Sequence, residues 1–129
     1  MSKDIQIVSS DNAPKAIGPY SQAISANGML FCSGQIPLDA STGELVGETA
    51  GEQTVKVMAN LLAVLNASGC DFSNVVKTTI FLKDMNDFAS VNDAYAAAMG
   101  DHRPARATVE VARLPKDVKV EIDCIAVLG

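Results

Sequence analysis

The sequence predicts an α+β fold, a single mixed β-sheet with two helices packed on one face, in the order β-β-β-α-β-α-β-β. Three observations carry this. Only two segments repeat apolar residues at helical spacing, and the others read as short strands rich in β-branched residues. Two amphipathic helices cannot bury their stripes on each other and still cover both faces of a sheet, so they lie together on one face. Finally, strands are apolar on both alternating sets. In VKVEIDCIAV, Val120, Ile122 and Cys124 share one face while Ile125 and Val127 share the other. A sheet apolar on both sides, with helices for one, predicts that copies of the chain pack through the bare face.

Each element has its own signal. Ile5 and Ile7 flank Gln6 ahead of Val8 and make a short strand, and the turn formers of DNAPKAIGPY follow as a loop. SQAISA and MLFCSGQI are separated by Asn27-Gly28, which accepts the positive φ of a type I′ turn, so the pair is a hairpin. PLDASTGEL is a second loop. Thr49 and Glu52 have capping-box spacing. After them Val55, Met58, Leu62 and Leu65 form a stripe, widened by Val57, Leu61 and Val64 and closed by Gly69, which predicts a helix over 50–68. NVVKTTIFL is a strand. Asn86 or Asp87 caps a second helix with the stripe Phe88, Val91, Tyr95 and Ala98, ended by Gly100. Two strands close the chain, ARATVEV and VKVEIDCIAV, joined by ARLPKD.

The 129 residues suit one domain, 1–129, and 48% hydrophobic content suits a packed core. With no Trp and 5% aromatics, aliphatic residues must build that core. A net charge of −5 argues against duplex nucleic-acid binding, which needs a cationic surface, so no nucleic-acid partner is expected. The three cysteines, Cys32, Cys70 and Cys124, are odd in number and widely spaced, which fits neither a disulfide framework nor a zinc cluster. Cys32 and Cys124 read as small core residues. The N-terminal stretch lacks the apolar run of a signal peptide, and no segment is long enough to span a membrane, so the expected location is cytoplasmic.

The single histidine, His102, has no ligand cluster near it, and no phosphate loop or dinucleotide fingerprint appears. No metal and no cofactor are therefore expected. Arg106 stands at the head of a strand, with Thr108 and Glu110 on its face and Ala107, Val109 and Val111 on the other. It reads either as a solvent-facing charge or as a guanidinium that forks onto a carboxylate through two charge-assisted bonds. Glu121 is either a solvated strand residue or a carboxylate that orients water and moves protons. If the LPKD turn closes a hairpin, the two lie on adjacent strands. Tyr20 follows the Gly18-Pro19 turn, and Ser33-Gly34 ends a strand where a glycine lets a ligand approach the backbone.

Together, AIGPYSQA, FCSGQIPLD with TGELV, VVKTTIFLKDMNDFASVNDAYA and RPARATVEVARLPKDVKVEIDCIAV closely resemble the RidA (YjgF) family over nearly the whole chain. The Arg106 motif and Glu121 resemble its deaminating branch, the 2-iminobutanoate/2-iminopropanoate deaminases. The resemblance implies a chorismate-mutase-like fold and a homotrimeric barrel with helices outside and sites between subunits. It also implies hydrolysis of reactive enamines and imines, such as 2-aminoacrylate, to a 2-keto acid and ammonia without a cofactor. Carried over by position, Arg106 grips the substrate carboxylate and Glu121 positions water and assists proton transfer. Tyr20 lines the pocket near the reacting nitrogen, and Ser33 and Gly34 shape its floor. The backbone around Ala107 and Thr108 bonds substrate or water, and Asn92 borders the cleft. Two departures stand out. Thr108 occupies a position where many members have cysteine, and Ala98 and Met99 replace common aromatics. The alternatives are a non-catalytic small-carboxylate binder or regulatory protein using the same pocket, and a ribonuclease, translation inhibitor or chaperone-like protein, roles ascribed to relatives.

Overall fold

The computed structural model describes residues 4–129; the first three residues of the expected domain 1–129 lie outside the described residues. Ile5–Val8 (β1), Ala23–Ala26 (β2) and Met29–Gln35 (β3) form an antiparallel meander. Asn27 and Gly28 join β2 to β3 with φ of 52° and 74°, as a type I′ turn demands. Ala50–Ala67 (α1) leads to Val75–Leu82 (β4), then Phe88–Met99 (α2), Ala105–Glu110 (β5) and Val120–Val127 (β6). The six strands form one sheet in the order β1-β2-β3-β6-β4-β5, mixed because β5 runs parallel to β4. The predicted architecture of one mixed sheet and two helices is the one observed.

Helix α1 starts where the spacing places it. Thr49 Oγ1 accepts from Glu52 N at 3.1 Å, and Glu52 Oε1 accepts from Thr49 N at 3.0 Å. It ends in a Schellman motif, with Cys70 N donating to Leu65 O and Gly69 N to Asn66 O, both at 3.0 Å. Its buried face differs from the stripe expected. Val55 is exposed, and the buried set is centred on Thr54, Val57, Met58, Leu61, Val64 and Leu65, with Gln53 and Asn60 beside them. Polar residues disguised this face. Thr54 donates its hydroxyl to Ala50 O at 2.8 Å, so it is buried at little cost. Gln53 and Asn60 are buried because they bond backbone in loops: Lys119 N donates to Gln53 Oε1, and Asn60 Nδ2 donates to Ile36 O and Leu38 O.

Helix α2 carries two further corrections. Asp87 stands at its N-cap position, one of the two expected, but makes no side-chain cap bond; Asp84 Oδ1 instead accepts from Asn86 N at 2.9 Å and caps a short turn, Met85–Asp87, that feeds the helix. The inward residue of its last turn is Met99, with Ala98 exposed, because 95 to 99 is a full i, i+4 step from buried Tyr95. The conditional hairpin between the last two strands is also absent. A strand–helix–strand crossover returns parallel to its first strand, so α2 lays β5 on the outer side of β4. The chain then passes through a turn at Pro115–Asp117 and enters the sheet between β4 and β3 as β6.

Both helices cover the face that presents Leu30, Cys32, Ile80, Leu82, Val120, Ile122 and Cys124, and the core lies there. Cys32 and Cys124 oppose each other in the β3–β6 register within this core. Hydrogen bonding with Cys32, together with burial, pushes the Cys124 thiol well up, so it stays protonated. The other sheet face is uncovered in the single chain and presents exposed Ile5, Ile7, Phe31, Val109 and Val127. Neither helix is long and apolar enough to cross a membrane.

Candidate active site

Arg106 pairs with Thr78 in the β4–β5 ladder. Thr78 is fully buried on the helix-covered face, so Arg106 projects to that same face, at the edge strand where the helices leave room for it. Three groups of α2 meet it there. Its Nη1 donates to Asn92 Oδ1 at 2.6 Å. Its guanidinium carbon lies 5.2 Å from the centroid of Tyr95 and 5.6 Å from that of Phe88, within cation–π range. Tyr95 is itself fixed, because its hydroxyl and that of Thr78 share a buried hydrogen bond of 2.8 Å. Asn92, Tyr95, Arg103 and Arg106 line one cleft of about 500 Å³. Among the described residues no carboxylate pairs with Arg106, although acidic side chains outnumber basic ones fifteen to ten. The guanidinium is therefore held in place with most of its donors free.

Val111 N donates to Leu82 O at 2.9 Å, and the parallel ladder alternates from there. Ala107 thus turns its backbone into the sheet, whereas Thr108 turns its N–H and C=O to the open edge beside Arg106. The Thr108 hydroxyl is buried and has no hydrogen-bond partner among the described residues.

Glu121 lies elsewhere. It pairs with Phe81, on the uncovered face, with Asp123 and Ala107 on the same side. Arg106 and Glu121 are thus on opposite faces, with β4 between their strands. Their registers, at Thr78 and Phe81, are offset by about 10 Å along the sheet. A single chain cannot turn both onto one small molecule.

A second cluster forms around Glu121. Together with Tyr20, Ser33 and Gly34 it lines an open cavity of about 400 Å³, with Ile17, Ile36 and Pro115 as its apolar walls. Ser33 sits where the β3–β6 register shifts; its hydroxyl donates to Ser21 O at 2.6 Å and ties β3 to the loop that carries Tyr20. Gly34 makes room for the carboxylate. A Cβ there would lie 2.9 Å from Glu121 Cδ and collide with its Oε2. Burial, and then the charge of Asp123, push the Glu121 carboxyl above its ordinary value. Asp123 is also raised by burial, against hydrogen bonds from Thr79.

The eight sequence candidates therefore fall into two groups. Tyr20, Ser33, Gly34 and Glu121 meet on one face, with Ala107 on that same face. Arg106, Asn92 and Thr108 meet at the edge of the other. Sequence reasoning took Phe88 and Tyr95 only as core, yet they are the platform for Arg106. The signal was present, because 88, 92 and 95 share one helical face. Thr78 and the walls at Ile36 and Pro115 carried no such signal. Among the described residues no group of three or more His, Cys, Asp or Glu side chains is placed to hold a metal ion.

These features define a class of small α+β protein that sets a carboxylate-free arginine and a carboxyl of raised pKa on opposite faces of one sheet. The chain belongs to the Endoribonuclease L-PSP family, also called YjgF/RidA, whose model matches residues 10–128. It is 49% identical to the 2-iminobutanoate/2-iminopropanoate deaminase of Salmonella typhimurium, over 93% of this chain and 95% of that one. To the protein of the same name from Mus musculus it is 48% identical, over 96% and 92%. Its structure resembles that of Escherichia coli TdcF with bound serine, at a TM-score of 0.90 and 40% identity, covering 96% of this chain and 99% of that one.

Proposed function

We propose that this protein hydrolyses reactive 2-imino acids and their enamine tautomers, 2-aminoacrylate/2-iminopropanoate and 2-iminobutanoate, to 2-keto acids and ammonia. The observation that carries the reading is the division of the site. An unpaired, pre-oriented Arg106 and a raised Glu121 lie on opposite faces, and the face bearing Glu121 is apolar and uncovered. Packing of like chains through that face, as a homotrimer, brings Arg106 of one subunit to Glu121 of the next. Two relatives named as deaminases of these imines, and a structural neighbour that holds the amino acid serine, support it. The free, buried cysteines suit a reducing compartment, which favours the cytoplasm.

The chemistry follows from the two clusters. Arg106 forks onto the substrate carboxylate and fixes the C2 atom, with Asn92 holding the guanidinium plane. The Thr108 backbone N–H and C=O at the free edge bond the substrate or its water. A water held by Glu121 adds to C2 while the imine nitrogen gains a proton, giving a carbinolamine. The C–N bond then breaks with a proton delivered to nitrogen, and ammonia leaves as the ketone forms. One water is consumed, no electrons are transferred, and no cofactor is required. Fixing two reactants in attack geometry supplies much of the acceleration for so labile a bond. Tyr20 and the Ser33–Gly34 floor confine the reacting carbon.

The family description names an endoribonuclease, but this chain offers that chemistry little. Its net charge is −5, and its one histidine is engaged, with Nε2 2.7 Å from Val75 O. The deciding experiment generates 2-aminoacrylate in situ with a dehydratase and follows 2-keto acid release. Acceleration is expected with the wild-type protein. In Arg106→Ala it falls by at least about 100-fold, since two charge-assisted bonds of about 1.5 kcal/mol or more each are lost, while light scattering shows the assembly intact. No acceleration for any imine, with 2-ketobutyrate still bound in calorimetry, would make the protein a carboxylate binder instead.

A further inference from the structure

The reaction makes no use of Cys32 and Cys124, yet both adjoin its parts. Ser33 and Gly34 directly follow the first, and Glu121 lies three residues before the second. Ser33 N donates to Gln22 O at 2.9 Å, which turns the odd-numbered backbone groups of β3 toward β2 and the even-numbered ones toward β6. Leu128 N donates to Gly28 O at 2.9 Å in the same register, so Cys32 and Cys124 are a directly opposed, hydrogen-bonded pair. The Cα atoms of such a pair stand about 5.5 Å apart, inside the ~4.4–6.8 Å that a disulfide spans. The pair is also the last regular rung of its ladder. The register shifts between Cys32 and Gln35, and the shift carries Ser33 and Gly34.

The two thiols differ. Both point into the core, Cys32 with 7% exposure and Cys124 with 3%. A hydrogen bond from Cys124 lowers the Cys32 thiol from its ordinary value, whereas Cys124 is raised and keeps its proton. Cys32 is thus the better nucleophile, with a second thiol facing it. The third cysteine, Cys70, is raised by burial and donates elsewhere, to Val127 O at 3.9 Å.

We propose that Cys32 and Cys124 are a modification site for hydroperoxides, which close them into a cross-strand disulfide that slows the Glu121 site. The Cys32 thiolate attacks a peroxide oxygen and becomes a sulfenic acid as the O–O bond breaks. The Cys124 thiol then displaces water from that sulfur and forms the S–S bond. In sum, two thiols and one hydrogen peroxide give one disulfide and two waters; sulfur is oxidised and peroxide oxygen reduced. The Cβ atoms of a hydrogen-bonded pair stand about 5.5 Å apart against ~3.8 Å in a disulfide, so closure draws β3 and β6 together by more than about 1 Å. Gly34 has no slack to absorb this, since even a Cβ there would collide with Glu121 Oε2. A misplacement of about 1 Å costs up to ~100-fold in rate. The cross-link is independent of the deaminase reading; its effect on turnover rests on that reading.

The test treats the intact, reduced protein with hydrogen peroxide, alkylates the remaining thiols and maps the cysteine-bearing peptides by mass, with imine turnover measured on the same samples. A Cys32–Cys124 bridge is expected, with Cys70 alkylated. As Arg106 lies two strands from β6, KM is expected to hold while kcat falls about tenfold or more, and dithiothreitol restores it. Cys124→Ala and Cys32→Ala are each expected to keep their turnover through the same treatment. Cys32 and Cys124 left free, or either one bridged to Cys70, overturns the site. A complete bridge with unchanged kcat overturns its effect on Glu121, as does an equal loss of kcat in the two variants. If the untreated protein turns over no imine, the deaminase reading fails alone, and the mass map still decides the bridge.

Discussion

At the scale of single residues, Arg106 and Glu121 owe their chemistry to immediate neighbours. Arg106 keeps most of its donors free because one neutral amide and two aromatic faces hold it, with no carboxylate paired to it among the described residues. Tyr95→Leu removes the nearer ring and is expected to raise KM about threefold to fivefold with little change in kcat, which steady-state kinetics would read; a cation–π contact at an exposed site is worth ~0.5–1 kcal/mol. Equal KM in the variant would remove Tyr95 from the positioning of Arg106. Gly34→Ala pushes the Glu121 carboxylate aside. Because that group is the end of a flexible side chain, urea midpoints should barely move while kcat falls. Glu121 also gives a pH signature. Its folded pKa is raised by burial and by Asp123, so the folded state binds its proton more tightly than the unfolded state. Stability therefore falls as pH rises from the unfolded value through the folded one, and the penalty is fully present above the latter. Glu121→Gln lifts it: the variant should exceed the wild type in urea stability at pH 7 and match it below about pH 4, where both states carry the proton.

At the scale of elements, three local signals were read correctly. The Asn27-Gly28 turn, the Thr49 capping box and the Gly69 stop are each settled by residues within six positions of one another. Thr49→Ala should lower stability by about 1 kcal/mol in chemical denaturation, with no change in activity at saturating substrate. The misreadings all concern which face or which partner. Val55 belonged to a plausible stripe, yet Thr54 took the buried place because its hydroxyl bonds back within the helix. Gln53 and Asn60 looked solvent-facing because the loops that need their amides are distant in sequence. Asp87 was a reasonable cap, but Asp84, three residues earlier, bonds the turn that starts the helix.

At the scale of the whole molecule, one face of the sheet is uncovered in the single chain. Phe31, Val109 and Val127 are exposed large apolar residues there, on three different strands. Val109→Asp is expected to dissociate the proposed trimer to monomers in light scattering, to leave the far-ultraviolet circular dichroism unchanged, and to abolish imine turnover by separating Arg106 from Glu121. A monomer that kept full activity would refute a site shared between chains.

The sequence by itself determined the elements, their order, the hairpin, the two-sided apolar character of the sheet and the residue types of the candidate site. These depend on periods of 2 and 3.6 residues and on turn chemistry, which act over a few positions. Only the tertiary structure decided that β5 lies beside β4 and not β6, and that Arg106 and Glu121 emerge on opposite faces. Strand order is set by a crossover packing back onto the sheet, and a side chain's face by register with a strand distant in the chain. Both are long-range outcomes of burying the two helices, and no local pattern encodes them.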